Sequence, residues 1–246
     1  DICCVVDVST SMGTEAMAQD GTGVSVSHGL ALLDIVKHAL RTIIHILDSK
    51  DRLAIVAYSN NAEIVLELTP MTNEGRRTAE LELKTMRPDG MTNLWAGLQM
   101  GIDVLAHDKQ PGRLQHVLLL TDGVPNMNPP RGIIEMLKRM KQKGAGARLP
   151  CTVNTFGFGY ELDSELLDQI AGLGSGSYAF IPDAGFVGTV FVNAVTNLLV
   201  TMATNVTLTL EPLSGAALAS SEAVAAGLPA KAVGNTVQVE LQSLQF

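Results

Sequence analysis

Short runs of apolar residues recur along the chain, and four of them place hydrophobic side chains on both faces of an extended backbone. These runs lie at residues 2 to 6, 52 to 58, 116 to 121 and 152 to 159. Strands that are apolar on both faces are typical of parallel sheets that helices cover on each side. The pattern therefore predicts four buried, parallel strands.

Amphipathic segments separate these runs and predict helices. They span residues 29 to 48, 74 to 86, 93 to 106, 131 to 142 and 163 to 173. Alternation of strands with helices predicts an α/β fold with a doubly wound, mainly parallel sheet and helices on both faces. In such a fold we expect a ligand site at the carboxyl ends of the strands.

Three stretches depart from this alternation. Residues 62 to 68 alternate apolar and polar side chains directly after a predicted strand, which indicates one antiparallel edge strand. Residues 14 to 28 show little periodicity and contain two glycines, so we expect an irregular excursion there. The run GLGSGSY at residues 172 to 178 predicts a helix C-cap followed by a turn.

The character of the chain changes near its end. We expect residues 1 to 203 to form the α/β domain. Residues 204 to 246 carry two strand-like runs around a stretch rich in alanine, glycine and serine. This pattern predicts a β-rich C-terminal extension, which would begin a second domain or supply packing strands to one. The chain is accordingly expected to be a fragment of a larger, multidomain protein.

Composition argues against several kinds of partner. The 246 residues carry a formal net charge of −8, whereas nucleic-acid binding relies on lysine and arginine to neutralise phosphates. No stretch approaches the roughly 20 consecutive apolar residues that a membrane span requires. The three cysteines show neither disulfide nor zinc spacing and are predicted to be small core residues, which favours a cytoplasmic location.

Oxygen-bearing side chains follow two predicted strands and precede one predicted helix. Asp7, Ser9 and Ser11 come after the first strand, Thr92 precedes the third helix, and Asp122 follows the strand that ends in LLLT. The set contains no imidazole or thiolate, which favours a hard cation such as Mg²⁺ or Mn²⁺. Alternate side chains of Asp-x-Ser-x-Ser can face one centre where the backbone stays extended. The sequence therefore predicts a divalent metal site.

Each part of this pattern also has a purely structural interpretation. Asp-x-Ser-x-Ser can cap a helix through Ser11, Thr92 can cap the helix that it precedes, and Asp122 with Gly123 can form an ordinary turn. A phosphoaspartate enzyme of the haloacid dehalogenase type would need a second aspartate where this chain has Ser9. The metal site is favoured because all three parts occur in order on matching elements.

Together these residues resemble the metal-ion-dependent adhesion site (MIDAS) of the von Willebrand factor A domain family. Asp7, Ser9 and Ser11 match its Asp-x-Ser-x-Ser, Thr92 matches its threonine, and Asp122 matches its aspartate after a hydrophobic strand. The resemblance covers roughly residues 1 to 203 and implies a Rossmann-like sheet. It implies direct metal contacts from Ser9 and Ser11, with Thr92 as a further candidate, and largely water-mediated contacts from Asp7 and Asp122.

The resemblance implies a protein-binding module and not an enzyme. A partner's Asp or Glu carboxylate would complete the coordination of Mg²⁺, Mn²⁺ or Ca²⁺. One alternative is a magnesium-dependent phosphotransferase or hydrolase that uses Asp7 as nucleophile or Asp122 as base, with Arg87 and Arg131 as candidates to hold a phosphate. Another alternative is a metal-free scaffold that binds partners through a helix face.

Overall fold

The computed structural model describes residues 1–19, 25–108, 110–160, 162–182, 184–218 and 229–245. Its strands are β1 (Ile2–Asp7), β2 (Glu15–Gln19), β3 (Ser25–Ala31), β4 (Arg52–Tyr58), β5 (Ala62–Pro70), β6 (His116–Thr121), β7 (Thr152–Phe158), β8 (Ser175–Ile181), β9 (Thr201–Leu210), β10 (Ala230–Val233) and β11 (Thr236–Gln245). Its helices are α1 (Leu32–Ile46), α2 (Asn73–Leu83), α3 (Leu94–His107), α4 (Ile133–Lys143), α5 (Ser164–Leu173) and α6 (Ala184–Leu199).

A six-stranded sheet in the order β5-β4-β1-β6-β7-β8 organises the first part of the chain. Strands β4, β1, β6, β7 and β8 run parallel, whereas β5 pairs antiparallel with β4 at the edge. The predicted α/β class and the antiparallel edge strand are both confirmed. The five helices predicted from amphipathic periodicity are present, each within three residues of the expected bounds.

The central strands are buried along their whole length, as their apolar composition predicts. Every residue of β1, β4 and β6 is buried. One face of the sheet packs against α3, where Val5 and Val56 share a hydrophobic cluster with Leu98 and Ile102. Parallel ladders therefore leave only the strand ends and loops for chemistry.

The three cysteines behave as predicted. Cys3, Cys4 and Cys151 are all buried and unbridged, and burial raises the pKa of Cys4 and Cys151 to about 12. They serve as small core side chains. The cytoplasmic location inferred from them stays a prediction. No helix among the described residues is long and apolar enough to cross a membrane.

The expected irregular excursion at residues 14 to 28 is wrong where the structure describes it. Strands β2 and β3 pair as antiparallel neighbours, with Ala18 opposite Val26 and Gln19 opposite Ser25. Strand β3 continues to Ala31, so α1 begins three residues later than predicted. Because strand pairing depends on a partner segment, these short runs show no decisive periodicity of their own. Residues 20 to 24 lie outside the described residues.

The turn predicted at residues 172 to 178 is only partly correct. Helix α5 does end at a glycine C-cap, Gly174, but β8 begins directly afterwards and pairs with β7. A Cβ atom added to Gly174 would lie 2.5 Å from Cβ of Val153, and one added to Gly176 would lie 2.1 Å from the Val153 carbonyl oxygen. These glycines therefore allow close strand packing.

The sequence patterns did not indicate helix α6, although exposed polar residues recur on one side of it between Thr189 and Asn197. Phe191 of this helix is buried, and its ring stacks on Phe156 of β7 with centroids 4.6 Å apart. The ring of Phe158 lies next along the same strand, 6.1 Å from that of Phe191.

The chain divides into two compact units, Asp1–Asn193 and Ala194–Phe246. The second unit holds a three-stranded antiparallel sheet in the order β10-β11-β9. Val237 and Val239 are buried in it, with Leu218 and Leu241 packed against them. The C-terminal part is β-rich as predicted, and the expected domain boundary at residue 203 stays a prediction.

Candidate metal centre

The backbone turns sharply where β1 ends at Asp7. The Ser9 amide donates a hydrogen bond to Oδ1 of Asp7 at 2.8 Å, and a short 3₁₀ turn, Thr10–Gly13, follows. An Asp side chain that accepts from the amide two residues later is the usual Asx turn. Ser11 does not cap α1, which begins only at Leu32. The helix-cap interpretation of this segment is therefore wrong.

A chain of hydrogen bonds connects the loop after β1 to the loop after β6. The hydroxyls of Ser9 and Ser11 lie 3.1 Å apart, and Ser11 Oγ donates to Oδ1 of Asp122 at 2.9 Å. Ser9 and Asp122 are buried, whereas Ser11 is exposed. Because β1 and β6 are parallel neighbours, their carboxyl ends bring these side chains together. Asp122 therefore does more than form a turn.

Asp7 is fully buried beneath these hydroxyls. Its Oδ2 accepts hydrogen bonds from Thr121 Oγ1 at 2.7 Å and from the Tyr58 hydroxyl at 3.3 Å. Burial raises the pKa of the Asp7 carboxyl, and the hydrogen bonds from Ser9, Thr121 and Tyr58 oppose that rise. Both carboxylate oxygens are thus held by the protein.

The loop that carries Thr92 is attached to the loop after β1. The carbonyl of Gly90 accepts from both the amide and the hydroxyl of Thr10, at 3.1 and 3.0 Å. Gly90 has φ +78°, a left-handed conformation that favours glycine. The N-cap of α3 is Asn93, whose Oδ1 accepts from the Ala96 amide at 3.2 Å. Thr92 is therefore not the capping residue.

Asn126 fixes Thr92 from the other side. Its side-chain Oδ1 accepts a hydrogen bond from the Thr92 backbone amide at 2.8 Å, and its backbone amide donates to the Thr92 carbonyl at 3.2 Å. The sequence patterns did not indicate Asn126, although it lies in the same loop as Asp122. The patterns also did not indicate a role for Tyr58 and Thr121, polar residues at the last position of strands whose central residues are apolar. Their position at a strand end was the only feature of the sequence that could have indicated this role.

The residues at this edge fit a hard cation better than a transition metal. Their side chains offer two carboxylates, from Asp7 and Asp122, and the hydroxyls of Ser9, Ser11 and Thr92. Mg²⁺ and similar ions accept such oxygen ligands and keep several waters. Among the described residues, no group of three or more His, Cys, Asp or Glu side chains is placed to hold a metal. A cage of acids or imidazoles is therefore absent from this part of the chain.

The chain matches one protein family and also resembles part of several longer relatives. Residues 2–124 match the family model described as von Willebrand factor type A domain. A relative in Arabidopsis thaliana, named "Probable E3 ubiquitin-protein ligase WAVH2", is 27% identical over 208 residues, covering 82% of this chain and 27% of that protein. The chain spans between 27% and 37% of the length of the first curated relatives that it matches.

Solved structures resemble the chain at low sequence identity. A von Willebrand factor type A protein from Catenulispora acidiphila has a TM-score of 0.73 at 17% identity, covering 99% of this chain and 55% of that chain. Proximal thread matrix protein 1 from the mussel byssus, with a zinc-occupied MIDAS motif, has a TM-score of 0.58 at 15% identity, covering 88% of this chain and 50% of that chain. These similarities establish the fold.

Proposed function

Because this chain belongs to the von Willebrand factor type A domain family, we propose that it is a protein-interaction module whose binding depends on a divalent cation. Domains of this family are generally protein-interaction modules, and they often bind divalent metals at the MIDAS. Asp7, Ser9, Ser11, Thr92 and Asp122 would hold the cation. Mg²⁺, Mn²⁺ and Ca²⁺ all suit these ligands.

The observation that carries this proposal is the hydrogen-bonded series Ser9, Ser11 and Asp122, which joins two neighbouring strand ends. Its hydroxyls are neutral, so they add no negative charge to that of Asp7 and Asp122. When bound, the cation would supply positive charge for an Asp or Glu carboxylate of the partner. Recognition would then depend on the partner offering such an acid.

The contact of Arg87 does not favour the phosphotransferase alternative. Arg87 donates to the backbone carbonyl of Met86 at 2.8 Å. Arg131 lies in a groove of about 330 Å³ that Gly132, Lys138 and Leu166 also line, at the start of α4. Domains of this family are generally not enzymes. A binding role therefore remains the better supported function.

The first experiment titrates MnCl₂ into the purified chain by isothermal calorimetry. The parent should bind one equivalent, and Asp122→Asn should lose at least about tenfold in affinity because one of two site carboxylates is neutralised. Asp103→Asn, on the exposed face of α3, is the matched control and should bind as the parent does. A parent chain that binds no Mn²⁺, Mg²⁺, Ca²⁺ or Zn²⁺ would instead support the metal-free scaffold.

The second experiment identifies the chemistry of the partner. A displayed random peptide library is bound to the immobilised chain in Mg²⁺ and eluted with EDTA. The eluted peptides should be enriched in Asp or Glu, and changing that acid to Asn or Gln should abolish binding. Enrichment without an acidic residue would contradict carboxylate recognition, even if the metal titration succeeds.

A further inference from the structure

Tyr58 lies directly beside Asp7, although it belongs to a different strand. The two residues end β4 and β1, and they are cross-strand partners in the parallel register. Tyr58 is fully buried, and its hydroxyl donates to Oδ2 of Asp7 at 3.3 Å. A buried tyrosine hydroxyl needs a hydrogen-bond partner, and here that partner is an acid of the candidate metal centre.

The ring of the same tyrosine rests against the backbone of α3. A Cβ atom added to Gly97 would lie 2.4 Å from Cδ1 and 2.6 Å from Cγ of Tyr58, so only glycine permits this approach. Leu94 and Leu98 belong to the same hydrophobic cluster as the ring. Gly97 lies in the first turns of the helix that follows Thr92, close to that site residue along the chain.

Hydrogen-bond donors from three segments fix the Asp7 carboxylate. The Ser9 amide holds Oδ1, while Thr121 of β6 and Tyr58 of β4 hold Oδ2 from the strands on either side. Of these donors, Tyr58 also contacts the helix that begins after Thr92. The Tyr58 side chain thus contacts both Asp7 at the end of β1 and α3, the helix that follows Thr92.

We propose that Tyr58 is a positioning residue of the metal centre, which orients Asp7 through its hydroxyl and supports α3 through its ring. This inference rests on the proposed function, since it concerns residues that would hold the cation. A purely structural tyrosine would matter for stability alone. A positioning tyrosine must also change metal affinity in protein that remains folded.

The test uses Tyr58→Phe, which removes the hydroxyl and keeps the ring against Gly97. MnCl₂ affinity is measured by calorimetry, and unfolding is measured separately in urea with EDTA present. We expect Tyr58→Phe to weaken Mn²⁺ binding about fivefold, because Asp7 loses one of its hydrogen-bond donors. The electron paramagnetic resonance spectrum of bound Mn²⁺ should change as well.

Two control variants separate positioning from stability. Thr155→Val, in β7, removes another fully buried hydroxyl. This hydroxyl donates to the Leu167 carbonyl of α5 at 3.0 Å. Tyr178→Phe removes a tyrosine hydroxyl that lies 3.0 Å from Ser164 Oγ. Both should leave Mn²⁺ affinity within twofold of the parent, even where they lower stability.

Gly97→Ala tests the contact of the ring with α3. Its matched control is Gly101→Ala, one turn later, where an added Cβ would meet Val5 Cγ2 at 2.3 Å. At similar losses of stability, we expect Gly97→Ala to weaken Mn²⁺ binding more. If the two alanine variants weaken it equally, the ring has no specific role and the inference is overturned in that part.

Failure of this inference can be told apart from failure of the proposed function. A parent chain that binds Mn²⁺, together with a Tyr58→Phe variant of parental affinity, overturns the positioning role and leaves the metal centre standing. A parent chain that binds no divalent cation overturns the proposed function and this inference with it. Tyr58→Phe retains nearly all side-chain volume, so it tests the hydroxyl even if Gly97→Ala proves too unstable to purify.

Discussion

At the scale of single residues, His116 is a titratable group with no role in the metal centre. It is buried at the start of β6, whereas the candidate ligands lie at the carboxyl ends of the strands. Within the described part of the chain, its Nδ1 has no hydrogen-bond partner. Burial lowers the pKa of His116 from 6.5 to about 4, because a charged imidazole is poorly solvated there. The folded state therefore disfavours the protonated form.

We expect acid to destabilise the chain through His116. The neutral imidazole contributes its full stability above pH 6.5, and this contribution is lost as pH falls from 6.5 towards 4. At pH 5 the loss amounts to about 2 kcal/mol of unfolding free energy. Urea unfolding at pH 7 and pH 5 should show a larger loss for the parent than for His116→Gln, which keeps the N-terminal amine whose pKa burial also lowers, to about 6. Equal pH dependence of both proteins would contradict the assignment.

A second residue-scale prediction concerns Thr92. Thr92→Ala removes one neutral oxygen from the proposed ligand set while both carboxylates remain. Losing a single neutral polar group typically costs on the order of 1 kcal/mol, so Mn²⁺ affinity should fall about fivefold. Binding of an acidic peptide should fall further, because the alanine also alters the position at which its carboxylate arrives.

The control for Thr92→Ala is Thr78→Ala, on the exposed face of α2, where the threonine hydroxyl donates to the Glu74 carbonyl at 3.1 Å. This variant should leave both affinities unchanged. The prediction fails if Thr92→Ala abolishes Mn²⁺ binding while a peptide whose binding is sensitive to EDTA still binds at parental strength.

Residue types and spacing were enough to propose the ligand set, but not the residues that support it. Asp7, Ser9 and Asp122 stand out because polar groups follow apolar strands. Tyr58 and Thr121 close two such strands, and their role appears only when β4 and β6 flank β1. A cross-strand hydrogen bond has no fixed spacing in sequence, so no local pattern could have shown it.

At the scale of elements, amphipathic periodicity succeeded where a segment has one buried face and failed elsewhere. Helices α1 to α5 each have a polar side that marks the period. Strands β2, β3 and β8 are instead defined by pairing with another segment. Sequence could therefore predict the layers of the fold but not every strand in them.

The glycines between α5 and β8 provide a test at this scale. In Gly176→Ala, the added Cβ would lie 2.1 Å from the Val153 carbonyl oxygen, so β8 must move away from β7. We expect a loss of about 1 to 3 kcal/mol in unfolding free energy, measured in urea. Destabilisation should be seen with full retention of Mn²⁺ affinity, since the site lies between β1 and β6.

Gly172→Ala is the matched control within α5. Apart from its chain neighbours and its own helix backbone, no atom of the described residues lies within 4 Å of the position of its added Cβ, and alanine is the better helix former. This variant should be neutral or more stable than the parent by up to about 1 kcal/mol. If Gly172→Ala and Gly176→Ala destabilise the chain equally, close packing is not the reason for glycine in this stretch.

For the whole molecule, the core and the candidate metal centre occupy different parts of the sheet. The strands β1, β4 and β6 are buried throughout by apolar side chains, whereas the candidate ligands lie at their ends. Burial of this extent can outweigh the entropy lost on ordering an α/β domain of this size. The fold should therefore form without the ion, unlike small domains that a metal must hold together.

We accordingly expect the chain to unfold cooperatively in EDTA. Before unfolding, its far-UV circular dichroism spectrum in EDTA should be the same as in Mg²⁺. Mg²⁺ at about 100 times its dissociation constant should raise the unfolding free energy by about 2.7 kcal/mol, the value expected from simple linkage. Asp122→Asn should show the same stability in EDTA and almost no response to Mg²⁺. Loss of the cooperative transition in EDTA would mean that the ion is part of the folding core, because linkage alone cannot remove a native state that is stable without its ligand.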